Sequence, residues 1–109
     1  MSDDARLIYI TAPNRDEALK LAQVLVQERL AACANVLGPI TSVYWWDGKL
    51  NQDGEEALLL KTRADLVDAL TARVRELHSY DCPCVVALPI TGGNPAFLEW
   101  IASETRAQA

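Results

Sequence analysis

The pattern of apolar and polar positions in the first third of the chain predicts a strand followed by a helix. Residues 6–12, RLIYITA, are rich in apolar residues and β-formers on both faces, which is typical of a central strand covered on both sides. Pro13 ends this segment, and apolar residues then recur at helical spacing, which predicts a helix over about residues 14–30. Asn14 is a candidate N-cap, and the carboxylate of Glu17 at the third helical position is placed to bond back to it.

The middle of the chain predicts a long hairpin of two antiparallel strands. Residues 31–46 indicate one long strand, with a break at Gly38-Pro39 that favours an edge strand or a bulge. Asp47-Gly48 is a strong hairpin turn signal because both residues tolerate positive φ. Residues 55–62, EEALLLKT, alternate in polarity as a third strand, whereas residues 51–55, NQDGE, indicate a wider loop or bulge.

The second half of the chain predicts a helix, a strand and a short terminal helix. Residues 64–78 carry apolar side chains at helical spacing, and residues 84–90 form a short apolar run. Asn94 directly before Pro95 predicts a capping residue followed by proline at the first helical position. The order β-α-β-β-α-β is that of a ferredoxin-like α+β sandwich, here with an extra C-terminal helix. We expect one domain over residues 1–109.

Composition and charge narrow the classes of function. Ten Lys and Arg against fifteen Asp and Glu give a net charge of −5, and half of the residues are hydrophobic. An acidic chain without a basic cluster is a poor candidate for binding nucleic acid. The acidic start lacks the basic region of a secretory signal, and the apolar runs are too short to span a bilayer. Because three cysteines is an odd number, a reducing compartment is favoured. We therefore expect a cytoplasmic protein without membrane insertion.

The segment HSYDCPC, residues 78–84, contains the only histidine and two of the three cysteines. It indicates either a metal site or the end of a helix followed by a strand. In the second case, His78 would interact favourably with the helix macrodipole. If Cys82 and Cys84 both lie in the strand, they share a face with Cα atoms about 6.6–6.8 Å apart. That spacing is near the upper limit for a disulfide, so we expect free thiols that could share a soft ion such as Cu(I). In a ferredoxin-like sheet Cys33 lies on the opposite edge, about 14 Å away, and could join only from a neighbouring subunit.

Two other chemistries remain open for these residues. A cysteine with His78 as base could act as a nucleophile, although nothing else resembles a cysteine hydrolase. The turn Gly92-Gly93 opens the terminal helix, whose N-terminus would attract an anion, although no phosphate-binding motif accompanies it.

Trp45 and Trp46 stand next to the predicted hairpin turn. Neighbouring residues of a strand point to opposite faces, and both faces of an isolated hairpin would be in water. We therefore expect another subunit to cover this hairpin. One indole should pack on its own chain and the other across the interface or against the base of the hairpin.

In order and spacing, these segments resemble the CutA divalent-cation tolerance family. The matching stretches are TAPN (residues 11–14), ERLAACANV (28–36), SVYWWDGK (42–49), LLLKT (58–62), HSYDCPC (78–84) and ALPITGGNPAFLEW (87–100). The resemblance implies a ferredoxin-like fold assembled as a homotrimer, a cytoplasmic setting, and binding of copper or another divalent cation in metal tolerance. The family is not tied to a catalysed reaction, so we expect neither an enzyme nor an organic cofactor.

The chain departs from the family pattern where a metal would bind. The family has a proline and a glutamate where Ser79 and Cys84 stand here, and some members carry a further cysteine and histidine where Ile10 and Leu77 stand. The metal ligands that the resemblance implies therefore reduce to His78, and any metal role depends on the nearby thiols.

Two functional interpretations follow. The first is a trimeric metal-binding or metal-response protein, with candidate ligands His78, Cys82, Cys84 and Cys33. The second is a trimeric signalling or scaffold protein that binds a small anionic ligand at clefts between subunits, with Lys61 and the glycine turn as donors. The positions that match the family and are candidates for holding such a ligand are Lys61, Tyr80 and Trp100.

Overall fold

The structure, a computed structural model, describes residues 4–107 and confirms the predicted order of elements. The strands are β1 (Ala5–Ala12), β2 (Cys33–Trp46), β3 (Lys49–Arg63) and β4 (Val85–Pro89). The helices are α1 (Arg15–Gln27), α2 (Val67–Leu77), which follows a 3-10 turn over Ala64–Leu66, and α3 (Pro95–Glu104). None of these helices has the length and apolar character that crossing a membrane requires.

The strands form one antiparallel sheet in the order β2-β3-β1-β4, the order of a ferredoxin-like sandwich. The register pairs Ile8 with Leu60 and Ile10 with Leu58, and these four side chains are buried in the core with residues of α1 and α2. β1 is therefore central, as predicted. Its second face is not fully covered, however, because Tyr9 on that face is only half-buried in the single chain.

Helix α1 has well-defined signals at both ends. The side chain of Asn14 accepts a hydrogen bond from the Glu17 amide at 2.9 Å, so the predicted cap is confirmed. The helix ends before the predicted residue because Arg29 adopts a left-handed conformation with φ of 60°. The amide of Leu30 then donates to the Leu25 carbonyl at 3.0 Å, which is the Schellman arrangement usually made with glycine.

The hairpin of β2 and β3 is longer and more regular than the sequence predicts. Gly38 has φ of 115°, and the register shifts between Val36 and Gly38, so the predicted break is a bulge in an edge strand. Beyond the bulge, pairing continues without a further shift to Trp46 and Lys49, so the expectation of a wider loop or bulge at residues 51–55 is wrong. Cross-strand partners hold these polar residues in the extended conformation: for example, the Tyr44 hydroxyl donates to Asp53.

The outer part of this hairpin, residues 41–54, forms an arm that protrudes from the molecule, and we call it the aromatic arm. Trp45 is 71% exposed and Trp46 is 59% exposed. The expectation that one indole packs on its own chain is therefore wrong, because the arm extends past the helices that could cover it. The molecule is correspondingly elongated, with extents of 43 × 26 × 24 Å.

The sheet face that points away from α1 and α2 remains largely open, and we call it the open face. Helix α3 covers only one end of it, where Ile101 packs with Ala5 and Ala32. Over the rest, Val86 and Leu88 are nearly half exposed. The cross-strand register places the following side chains on this face: Leu7, Tyr9, Leu59, Val86 and Leu88.

At the bulge, the β2 side chains that point to the open face change from odd-numbered to even-numbered positions. The aromatic arm therefore continues the open face with the even-numbered positions of β2. Asn35 lies opposite Leu59 before the bulge, whereas Tyr44 lies opposite Asn51 after it. Because paired residues share a face, Tyr44 and Trp46 lie on the side of the open face. Trp45 lies on the other side.

The chain between α2 and β4 is irregular. β4 begins at Val85, so the predicted start at Cys84 is one residue early and neither Cys82 nor Cys84 is in a strand. The terminal helix begins as predicted, since the Asn94 side chain accepts a hydrogen bond from the Ala96 amide at 3.1 Å.

Candidate functional site

Five parts of the chain meet at one end of the sheet and surround the segment of residues 78–84. They are the end of β1 at Thr11, the first turn of α1 at Glu17, the end of α2 at Leu77, the middle of β3 at Glu55, and the segment itself. The contacts among them fix the backbone on which the candidate metal ligands stand.

His78 is the buried centre of this arrangement. Its side chain is fully buried, its Nδ1 accepts a hydrogen bond from the Tyr80 amide at 3.0 Å, and its Nε2 lies 2.8 Å from the Thr11 carbonyl oxygen. Because a carbonyl can only accept, Nε2 carries the proton and the ring is the neutral tautomer. Both ring nitrogens are therefore used within the chain, and His78 connects the end of α2 to the end of β1.

Glu17 ties the start of the segment to α1. One oxygen of its carboxylate accepts hydrogen bonds from both the amide and the hydroxyl of Ser79, each at 3.0 Å, and lies 3.3 Å from His78 Nδ1. The expectation that this carboxylate bonds back to the cap at Asn14 is therefore wrong. Ser79 supplies two donors, its amide and its hydroxyl, that a proline at this position would lack.

Tyr80 connects the segment to β3. Its hydroxyl donates to Glu55 at 3.1 Å, and its ring lies 4.8 Å from that of His78. Burial, together with the hydrogen bond to Glu55, raises the pKa of Tyr80 to about 12. The phenol therefore remains a neutral donor at any physiological pH.

The thiols of the segment lie beyond these anchored residues. All three cysteines of the chain are free, and Cys82 and Cys84 are exposed. Burial raises the pKa of the Cys84 thiol; the nearby Glu55 carboxylate adds to the rise, and a contact with the Thr11 side chain opposes it. A raised pKa is the opposite of what activates a cysteine nucleophile, so this environment does not favour the cysteine-enzyme interpretation.

The remaining candidate residues lie elsewhere. Cys33 stands on edge strand β2 opposite Lys61, whereas the segment leads into β4 at the other edge, three strand spacings or about 14 Å away. Lys61 donates from Nζ to the Asn35 side chain at 2.6 Å. Trp100 is on α3, where its ring lies 5.3 Å from that of Phe97. Within residues 4–107, no three potential metal ligands of the His, Cys, Asp and Glu types come together.

Two residues of the site were missed by sequence reasoning. The sequence predicts Glu17 as a partner of the helix cap, and it predicts Glu55 where a wider loop or bulge meets the third strand. The signal for Glu55 was its place in the alternation of β3, where it shares a face with Ala57 and Leu59. The hydrogen bond from the Tyr80 hydroxyl to Glu55 shows that this face meets the segment.

Together, the fold and the site define a ferredoxin-like α+β domain with a thiol-bearing segment anchored at one end of its sheet. Residues 6–104 match the family model described as CutA1 divalent ion tolerance protein, and the chain belongs to that family.

Relatives from plants and bacteria agree with this assignment. The chain is 50% identical over 100 residues to "Protein CutA 1, chloroplastic" of Oryza sativa, covering 92% of this chain and 56% of that protein. It is 42% identical over 99 residues to "Divalent-cation tolerance protein CutA" of Thermus thermophilus, covering 91% and 96%. The chain thus spans about half the length of the plant relative and nearly all of the bacterial one.

Solved structures share the whole fold. The CutA1 structure from Oryza sativa superposes with a TM-score of 0.93 at 48% identity, covering 96% of each chain. The periplasmic divalent cation tolerance protein CutA from Archaeoglobus fulgidus superposes with a TM-score of 0.88 at 41% identity, covering 92% of this chain and 97% of that one.

Proposed function

We propose that this chain is a metal-binding protein of divalent-cation tolerance that acts in the cytoplasm and catalyses no reaction. We further propose that residues 1–109 work as one domain within a homotrimer. The observation that best supports metal binding is the pair of exposed thiols, Cys82 and Cys84, in a chain of a family named for divalent ion tolerance. An odd number of free cysteines supports a reducing compartment.

The proposed ion is copper in the Cu(I) state. Thiolates are soft ligands that favour Cu(I), and two exposed thiols two residues apart can turn toward one ion. His78 would ligate through Nδ1 only by giving up its hydrogen bond from Tyr80, so its first role is to hold the segment in place. Cys33 can contribute only from a neighbouring copy of the chain.

The homotrimer is supported by the surfaces that a single chain leaves in water. The open face exposes nearly half of Val86 and Leu88, and the aromatic arm exposes most of Trp45 and Trp46. Contiguous apolar surface of this kind marks an interaction site. Further copies of the chain would cover this surface. The side of the arm that carries Tyr44 continues the open face, so it would then lie at the interface.

A small anionic ligand at the clefts between subunits is the alternative function. It is supported by Lys61, whose side chain lies on the open face and would remain near an interface between copies. Tyr80, Trp100 and the Gly92-Gly93 turn complete the proposed residues. In a single chain Lys61 and the Thr11 end of the site stand four residues apart along β1, about 13 Å, so a common ligand would need a second subunit.

Competition with a Cu(I) chelator tests the metal proposal. We expect the Cys82→Ser, Cys84→Ser double variant to lose most of its Cu(I) affinity, because no comparable pair of soft ligands remains in the segment. Lys61→Ala is the matched control and should bind Cu(I) like the wild type, whereas an anion-binding protein would lose its ligand with this change. Cys33→Ser should weaken binding only if a neighbouring copy supplies that thiol. Equal affinity of the double variant and the wild type would contradict the proposal.

A further inference from the structure

The hydrogen bonds of the segment lie upstream of its two cysteines. Ser79 bonds to Glu17, and Tyr80 bonds to both His78 and Glu55, so the first three residues of the segment are fixed. Cys82 and Cys84 follow these anchors, precede the first residue of β4, and are both exposed. The two thiols are therefore carried by backbone that neither a helix nor a strand constrains.

This position removes the geometric obstacle to a bond between the two sulfurs. In a strand, residues two apart have Cα atoms about 6.6–6.8 Å apart, at the limit of unstrained disulfides. The backbone instead bends over residues 79–82 and does not become a strand until Val85. Because Cys82 and Cys84 both lie outside any strand, their Cα separation is not held at the strand value, and disulfides form over Cα separations of about 4.4–6.8 Å.

The surroundings of the two thiols differ in a way that orders their reactions. Cys82 is exposed and lies at the end of the bend over residues 79–82, whereas Cys84 lies directly before β4. The Cys84 side chain lies near Glu55 and Thr11. Cys82 is therefore the thiol that a dissolved disulfide meets first, and Cys84 is placed to react with the product.

We propose that Cys82 and Cys84 form a reversible disulfide within one chain, so that the segment of residues 78–84 responds to the thiol–disulfide balance of its surroundings. The inference does not depend on metal binding, although the disulfide would take both thiolates away from the ion proposed above. Cys33, on the opposite edge of the sheet, has no part in it.

The oxidant is a low-molecular-weight disulfide of the glutathione class. The Cys82 thiolate attacks one of its sulfurs, the S–S bond of the oxidant breaks, and one glutathione leaves as a thiolate. The Cys84 thiol loses its proton to solvent and attacks the Cys82 sulfur, and the second glutathione leaves. Two protein thiols are thereby oxidised by two electrons, one oxidised glutathione is reduced to two thiols, and the two thiol protons end on the released glutathione.

Intact-mass measurement after thiol trapping tests this proposal on the full chain. The reduced protein is equilibrated, with a metal chelator present, in glutathione buffers from fully reduced to fully oxidised, and free thiols are then trapped with N-ethylmaleimide. We expect the wild type to pass from three trapped thiols to one, with a loss of two hydrogens and no bound glutathione. Cys33→Ser is the matched control and should pass from two trapped thiols to none.

The single variants identify the two steps. Cys84→Ser should stop with one glutathione attached to Cys82, because no second thiol is near enough to displace it. A wild type that keeps glutathione adducts, or keeps three trapped thiols in the fully oxidised buffer, would overturn the proposal. So would loss of the oxidised species in Cys33→Ser. Because no metal is present, none of these results bears on Cu(I) affinity, and the two proposals can fail separately.

Discussion

His78 shows how a single polar side chain is made compatible with full burial. Its ring donates to the Thr11 carbonyl and accepts from the Tyr80 amide, so neither nitrogen is left without a partner in the core. Replacing the ring would leave a buried carbonyl and an amide unpaired, each at a cost of about 1–3 kcal/mol. This explains a histidine at the end of α2 without reference to a metal, and a ligand role would have to compete with these bonds.

The first prediction concerns Tyr80 at alkaline pH. Its pKa of about 12 lies above the ordinary value of 10.0 for tyrosine, so the folded chain holds the phenol proton more tightly than the unfolded chain. The resulting stabilisation is present below about pH 10 and is lost as the pH rises toward about 12. We expect the free energy of unfolding in urea to fall more steeply over this range for the wild type than for Tyr80→Phe. Equal slopes for the two proteins would show that the Tyr80 hydroxyl contributes no such stabilisation.

The sequence predicts correctly those parts of the secondary structure that depend on residues close together in the chain. Asn14 and Asn94 cap their helices through bonds to amides two or three residues away, and Asp47-Gly48 forms its turn with both φ angles positive. The predictions are wrong where contacts with residues far away in the sequence determine the local structure. Residues 51–55 are polar and contain a glycine, yet pairing with β2 makes them strand, and Glu55 becomes a site residue only through Tyr80.

The second prediction concerns the bulge. Gly38 has φ of 115°, which residues with a Cβ rarely adopt, although an added Cβ would meet no atom within 4 Å. We therefore expect Gly38→Ala to destabilise the fold by about 1–3 kcal/mol through backbone strain alone. Gly54→Ala is the matched control: it also has open space around it, but it does not have a positive φ. Urea unfolding should separate the two, and an equally small effect of both would refute the strain argument.

The third prediction concerns the aromatic arm. Trp46 shares a side with the open face, and Trp45 points to the other side. If copies of the chain associate through the open face, Trp46→Ala should weaken assembly by about 2 kcal/mol, which is the range of interface hot spots. Sedimentation over a range of concentrations should show dissociation of Trp46→Ala where Trp45→Ala remains assembled. Weaker assembly of Trp45→Ala alone would place the interface on the opposite face of the arm.

At the scale of the whole molecule, the single chain leaves two apolar surfaces exposed. Its sheet has one face in the core and one largely open, and its arm has no layer of its own to pack against. Two-stranded ribbons are only marginally stable alone, so an arm of this length supports the proposed association of chains. The candidate ligands also lie on opposite edges of the sheet, so association of chains would serve both stability and the proposed site.

The most direct measurement is native mass spectrometry of the protein purified without an affinity tag, at low micromolar concentration, before and after addition of Cu(I). We expect one species at three times the chain mass of 12.0 kDa, with bound copper that the Cys82→Ser, Cys84→Ser double variant does not retain. A species at 12.0 kDa that takes up no copper would contradict this expectation.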